Sequence, residues 1–62
     1  MVSLRIVKDR EWDEYVVRYR EDGVYSEAKS YFTSDRVDAE QTRGWMAEEI
    51  RAAGGEVILS GA

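Results

Sequence analysis

Asp9, Glu11 and Asp13 recur at every second residue, the spacing with which carboxylates open a calcium-binding loop. The EF-hand form of that chemistry needs Gly at the sixth loop position and a bidentate acid at the twelfth, where this chain has Glu14 and Arg20. A polar connection between strands accounts for the three acids equally well, so no metal site is expected. Paired carboxylates could carry acid–base catalysis if they converged in a pocket that raised one pKa. Glu48 and Glu49 instead diverge around a helix, Asp13 and Glu14 point to opposite faces of a strand, and Glu21 and Asp22 sit at a turn. The chain has no His and no Cys, so Ser26, Ser30, Ser34 and Ser60 lack a base to activate them, and Lys8 and Lys29 fall in exposed segments. Gly54 and Gly55 fall at a helix C-terminus, where the dipole repels anions, so they do not cradle phosphate. No catalytic residue and no cofactor is expected, and the chain reads as a non-enzyme.

Composition narrows the classes further. A 62-residue chain forms one domain with a thin core, because chains this short bury only about 60% of their unfolded surface. The 13 acids against nine bases give a net charge of -4, which disfavours nucleic acid as a partner unless the bases gather on one face. Without Cys there is neither a disulfide nor a thiolate zinc site to support the fold. The opening MVSLRIVKDREW becomes charged within a few residues, unlike a signal peptide or membrane span, so no membrane partner and a cytoplasmic location are expected.

The elements that would position these residues follow from periodicity. Val2, Leu4 and Ile6 alternate along a first strand, with Lys8 to Trp12 as the connection after it. Glu14 to Glu21 and Val24 to Thr33 alternate about Asp22-Gly23, a pair suited to the two φ > 0 positions of a type I′ hairpin turn. A uniform register about that turn pairs Tyr19 with Ser26, Val17 with Ala28, Tyr15 with Ser30 and Asp13 with Phe32. It puts Tyr15, Val17, Tyr19, Val24, Ala28 and Phe32 on the core face. The open face then carries the pairs Glu14 with Tyr31, Val16 with Lys29, Arg18 with Glu27, and Arg20 with Tyr25.

After Thr33 the period becomes helical. Ser34 or Asp35 caps a helix from about Arg36 to Ala53, ended by Gly54-Gly55. Its apolar stripe is Ala39, Thr42, Met46, Ile50 and Ala53, with Ala47 and Trp45 at its margins; Arg36–Glu40 and Glu48–Arg51 lace the outer side. Val57 to Leu59 forms a last short strand and Ser60 to Ala62 a tail. The expected fold is α+β in the order β-β-β-α-β: an antiparallel meander covered by one helix, with the fourth strand beside and parallel to the first in sheet order 4-1-2-3, or, as the alternative, beside the third.

With catalysis disfavoured, the chemistry left to place is recognition. Trp, Tyr and Arg are the usual anchors of protein interfaces. Trp12, Arg18, Arg20, Tyr25, Glu27, Lys29, Tyr31 and Trp45 are the candidate partner-binding residues. The competing reading of Trp12 and Trp45 is that each covers an open end of the helix–sheet sandwich. Asp9, Glu11, Asp13, Glu21, Asp22, Asp35 and Asp38 fall at connections and, gathered on one side, would imitate a phosphate array.

The stretch EYVVRYREDGVYSEAKSYFTSDRVDAEQTRGWMAEE, with its D-x-x-D-A helix start at Asp35-Arg36-Val37-Asp38-Ala39, resembles small acidic accessory proteins of phages and prophages over about half the chain. The resemblance implies a stoichiometric inhibitor of host machinery, as anti-CRISPR proteins are, acting in the host cytoplasm on a larger protein. Arg18, Arg20 and Lys29 on an open sheet also resemble the arm-binding domain of tyrosine recombinases, which lays a three-stranded sheet in the DNA major groove. A third expectation is a self-associating domain, a homodimer through an unpaired edge strand or Trp45.

Overall fold

The computed structural model describes residues 1–61. The elements are β1 (Val2–Asp9), β2 (Glu14–Glu21), β3 (Val24–Thr33), α1 (Arg36–Ala52) and β4 (Val57–Gly61). They form one sheet in the order β3-β2-β1-β4, antiparallel except for β4, which runs parallel to β1. The fold is α+β, with the expected element order and strand order. β1 runs two residues further than its apolar alternation, taking in Lys8 and Asp9, and β4 extends through Ser60 and Gly61, beyond the Val57 to Leu59 that the pattern predicts. Gly61 has φ +91, and a Cβ there would collide with the Ile6 backbone, so only glycine continues the ladder at that point. Ala62 lies outside the described residues.

The local signals that build these elements are explicit. Asp22 and Gly23 take φ values of 51° and 84°, the two left-handed positions of the I′ turn. Asp35 is extended and its Oδ1 accepts from the Val37 N–H at 2.9 Å, capping α1. At the other end the Gly55 N–H donates to the Ile50 carbonyl and the Gly54 N–H to that of Arg51, a Schellman motif made accessible by the φ of 86° at Gly54.

The core lies between α1 and one face of the sheet. It consists of Val2, Leu4, Ile6, Val17, Ala39 and Ala47, with Tyr15, Tyr19, Met46, Ile50 and Val57 packed at its edge. Leu4 and Val17 are fully buried. Each such side chain is worth roughly 1.5–3 kcal/mol. A domain this short has a total stability of roughly 3–9 kcal/mol. The helix stripe differs from expectation: Ala47 is central rather than marginal, and Ala53 is an exposed C-cap. Two alanines let the helix axis approach the sheet, and Met46 and Ile50 fill the remaining flank.

The hairpin departs from the uniform register. Glu21, Arg20 and Tyr19 pair with Val24, Tyr25 and Ser26 as expected, but Val17, Val16 and Tyr15 pair with Tyr31, Phe32 and Thr33. Between these blocks β3 advances five residues while β2 advances two, so β3 carries a bulge of three extra residues. Ser30 makes the bulge self-sufficient. Its hydroxyl donates to the Ser26 carbonyl at 2.7 Å, and its oxygen accepts from the Tyr19 N–H at 3.1 Å in place of a ladder carbonyl. Because three is odd, every later side chain changes face relative to the uniform register. Tyr31 turns to the helix side and Phe32 to the open side, the reverse of the expectation.

Candidate functional site

α1 covers only one face of the sheet. The other face can be read row by row from the register. Nearest the hairpin turn lie Ile58, Ser3, Arg20 and Tyr25; then Ser60, Arg5 and Arg18; then Val7, Val16 and Phe32; and at the far end Asp9 and Glu14. Arg5 and Arg18 are direct cross-strand partners, an arrangement of like charges that a sheet tolerates only at a cost. Among the described residues the ion pairs are Met1 with Asp22 and Lys8 with Asp13, so neither Arg5, Arg18 nor Arg20 has a carboxylate partner. The Arg18 guanidinium instead lies over the Tyr25 ring at 4.6 Å and that of Arg20 at 5.9 Å. Val16 is only 6% exposed although no helix lies above it, and Phe32 beside it is 45% exposed. These residues border a shallow depression of about 490 Å³.

Of the residues singled out from sequence, Arg18, Arg20 and Tyr25 are on this open face, as expected. The bulge changes the placing of the three candidates that follow on β3. Glu27 is exposed within it, and no ion pair joins it to Arg18. Lys29 swings to the helix side, with its ammonium 5.2 Å from the Tyr19 ring centre. Tyr31 also faces α1 and donates to Asp38 Oδ2 at 2.6 Å. That hydrogen bond, followed by one from Thr33, holds the Asp38 carboxyl below its ordinary range, and it raises the Tyr31 phenol in turn. Arg5, Val7 and Phe32 also belong to the face, although none is among the candidate partner-binding residues of the sequence. Arg5 and Val7 were legible, since they alternate with Leu4 and Ile6; Phe32 was not, because its side depends on the bulge.

The second surface is the solvent side of α1. Trp45 is 67% exposed and Trp12, in the β1–β2 connection, 69% exposed, so neither lies at the core margin. The flank of the core beside the helix is filled by Met46, Ile50 and the two alanines, and neither indole is among the residues packed against it. Around Trp45 on the helix surface are Gln41, Glu48 and Glu49, all exposed. Gly44 beside it has an ordinary helical backbone, and a Cβ there would meet nothing within 4 Å. A mid-helix glycine costs about 1 kcal/mol relative to alanine, and no packing within the chain requires it. The pairs Arg36–Glu40 and Glu48–Arg51, expected to lace this side, are not within ion-pair distance.

The acidic connections do not all gather on one side. The strand order puts Asp9, Glu11, Asp13, Asp35 and Asp38 at one end of the sheet and Glu21 and Asp22 at the other. Most of the first group are engaged internally. Asp9 Oδ1 accepts from the Glu11 and Trp12 N–H groups, Asp13 pairs with Lys8 at 3.0 Å, Asp35 caps α1, and Asp38 holds Tyr31. No described helix is long and apolar enough to cross a membrane. No family model matches this chain, and no curated protein or solved structure matches it.

Proposed function

We propose that this chain is a non-catalytic protein-interaction module, a small cytoplasmic inhibitor or regulator of the phage-accessory type, that works by occupying a surface on a larger protein through the outer side of α1. The observation that carries this reading is Trp45, two-thirds exposed beside a glycine that the chain's own packing does not need. Exposed Trp is the residue most enriched at interface hot spots, and a neighbouring glycine lets a partner's backbone approach the helix closely. Glu48 and Glu49 beside it suit a partner pocket that is apolar at its centre and basic at its rim, such as the groove of a nucleic-acid-binding protein.

Direct DNA binding by the sheet has weaker support. Lys29 leaves the open face, and Asp9 and Glu14 share that face with Arg5, Arg18 and Arg20. The test is affinity capture from the native cytoplasm with wild-type chain and with Trp45→Ala, followed by reconstitution with the purified partner. A stoichiometric complex that Trp45→Ala weakens at least tenfold, with an unchanged melting temperature, supports the proposal. A partner bound equally well by both chains, or retention of labelled duplex DNA in place of any protein, overturns it.

A further inference from the structure

The open sheet face has a charge pattern that is complementary to itself. Its central row, Val7, Val16 and Phe32, is apolar; the adjacent row holds Arg5 and Arg18, and the row on the other side holds Asp9 and Glu14. Two copies can stack these faces about a twofold axis in two ways. An axis along the strands sets Arg5 and Arg18 of one copy over the same arginines of the other, which is repulsive. An axis across the strands reverses strand direction. Val7 and Val16 then meet their own counterparts, while Arg5 lies over the second copy's Asp9 and Arg18 over its Glu14. Each charge contact occurs twice.

We infer that the uncovered sheet face is a homodimer interface, in which two copies pack face to face with strands antiparallel, centred on Val7, Val16 and Phe32 and fixed in register by Arg5–Asp9 and Arg18–Glu14 contacts. Three features of the single chain are accounted for together. Cross-strand Arg5 and Arg18 gain acids that the chain itself does not supply them. Glu14, in no ion pair within the chain, gains a guanidinium, and Phe32 is withdrawn from water. The size also fits, since a stable interface buries about 800 Å² per partner, close to a fifth of the chain's 4373 Å². The inference is independent of Trp45, which lies on the helix covering the opposite face, so either can fail alone.

Charge exchange tests this arrangement. Sedimentation equilibrium from micromolar to millimolar concentration should show wild type passing from monomer to dimer. Arg18→Glu sets acid over acid at Glu14, and Glu14→Lys sets base over base at Arg18. Each variant alone should dimerise about tenfold or more weakly. An equimolar mixture of the two should recover the dimer, because both contacts are then of opposite sign. A wild type that stays monomeric, variants that dimerise as wild type does, or a mixture that stays monomeric overturns the inference. So does a monomer whose sheet face binds an acidic peptide or duplex DNA instead.

Should Arg18→Glu unfold the chain by unstacking Tyr25, Val7→Cys gives a second reading in this cysteine-free protein. It should oxidise to a covalent dimer several-fold faster than Ala52→Cys on the helix. Equal rates count against the interface.

Discussion

The Tyr31 hydroxyl reaches Asp38 Oδ2 at 2.6 Å, tying the last residues of β3 to the first turn of α1. The contact exists because the bulge turns Tyr31 toward the helix, and its pH signature has a definite sign. The folded Asp38 pKa is lowered, so this carboxylate's contribution is present above its ordinary value near 3.8 and is lost as pH falls through the depressed folded value. The folded Tyr31 pKa is raised, so the phenol's contribution is present below its ordinary value near 10 and is lost as pH rises through the folded value. Tyr31→Phe should therefore lower the melting temperature modestly between these limits and little outside them. Melting curves from pH 2 to 11 check this; a constant difference across the whole range would mean that the hydroxyl acts by packing alone.

Ser30 holds the bulge through two hydrogen bonds, accepting from the Tyr19 N–H and donating to the Ser26 carbonyl. Ser30→Ala leaves both backbone groups without that partner at a part-buried site. It should cost about 1–3 kcal/mol in urea denaturation. The Tyr19 amide should lose hydrogen-exchange protection before its neighbours do. Unchanged protection at Tyr19 would show that another acceptor holds it.

These two residues also mark where the sequence stopped being readable. The I′ turn, the Asp35 cap and the Gly54 stop are each encoded within a few adjacent residues and stand where the pattern puts them, while the first and last strands start where expected and run two residues longer. The bulge is different, because a period-2 pattern records alternation but not an odd slip inside a polar stretch such as Glu27-Ala28-Lys29-Ser30. Its signal is one serine hydroxyl standing in for a carbonyl. Hence Arg18, Arg20 and Tyr25, opposite or before the bulge, could be placed on the open face, while Lys29, Tyr31 and Phe32 beyond its start could not. The two tryptophans were ambiguous for another reason: aromatic character does not distinguish a core margin from a docking anchor when core volume is unknown.

Two glycine-to-alanine changes should have opposite signs. At Gly23, with φ +84, alanine adopts a left-handed conformation that costs about 1–2 kcal/mol. At Gly44, alanine enters open space in a regular helix and should stabilise by about 0.5–1 kcal/mol. If the helix surface around Trp45 is the docking site, Gly44→Ala should also weaken partner binding. A chain that is both more stable and fully competent would show that Gly44 serves no interface.

Core and surface should separate cleanly. Leu4 is fully buried, and Leu4→Ala should cost about 2–5 kcal/mol, enough to unfold much of so small a domain at physiological temperature. Trp45→Ala should change stability by less than about 0.5 kcal/mol. Thermal melts of the two variants against wild type measure this directly, and a large loss for Trp45→Ala would return that residue to a structural role.

The three extra residues of β3 also separate chain length from facing. Removing Glu27, Ala28 and Lys29 would leave Val17 with Tyr31 and Val16 with Phe32, now in one uninterrupted ladder, because the blocks on either side already have those partners. The same geometry allows the segment to grow: further residues placed among these exposed positions, with Ser30 kept, would lengthen the loop without turning any side chain over. The hairpin thus contains an internal splice site, a place where a fluorophore-bearing or affinity sequence could be carried away from both chain ends while Trp45 and the arginine-bearing face are left as they are.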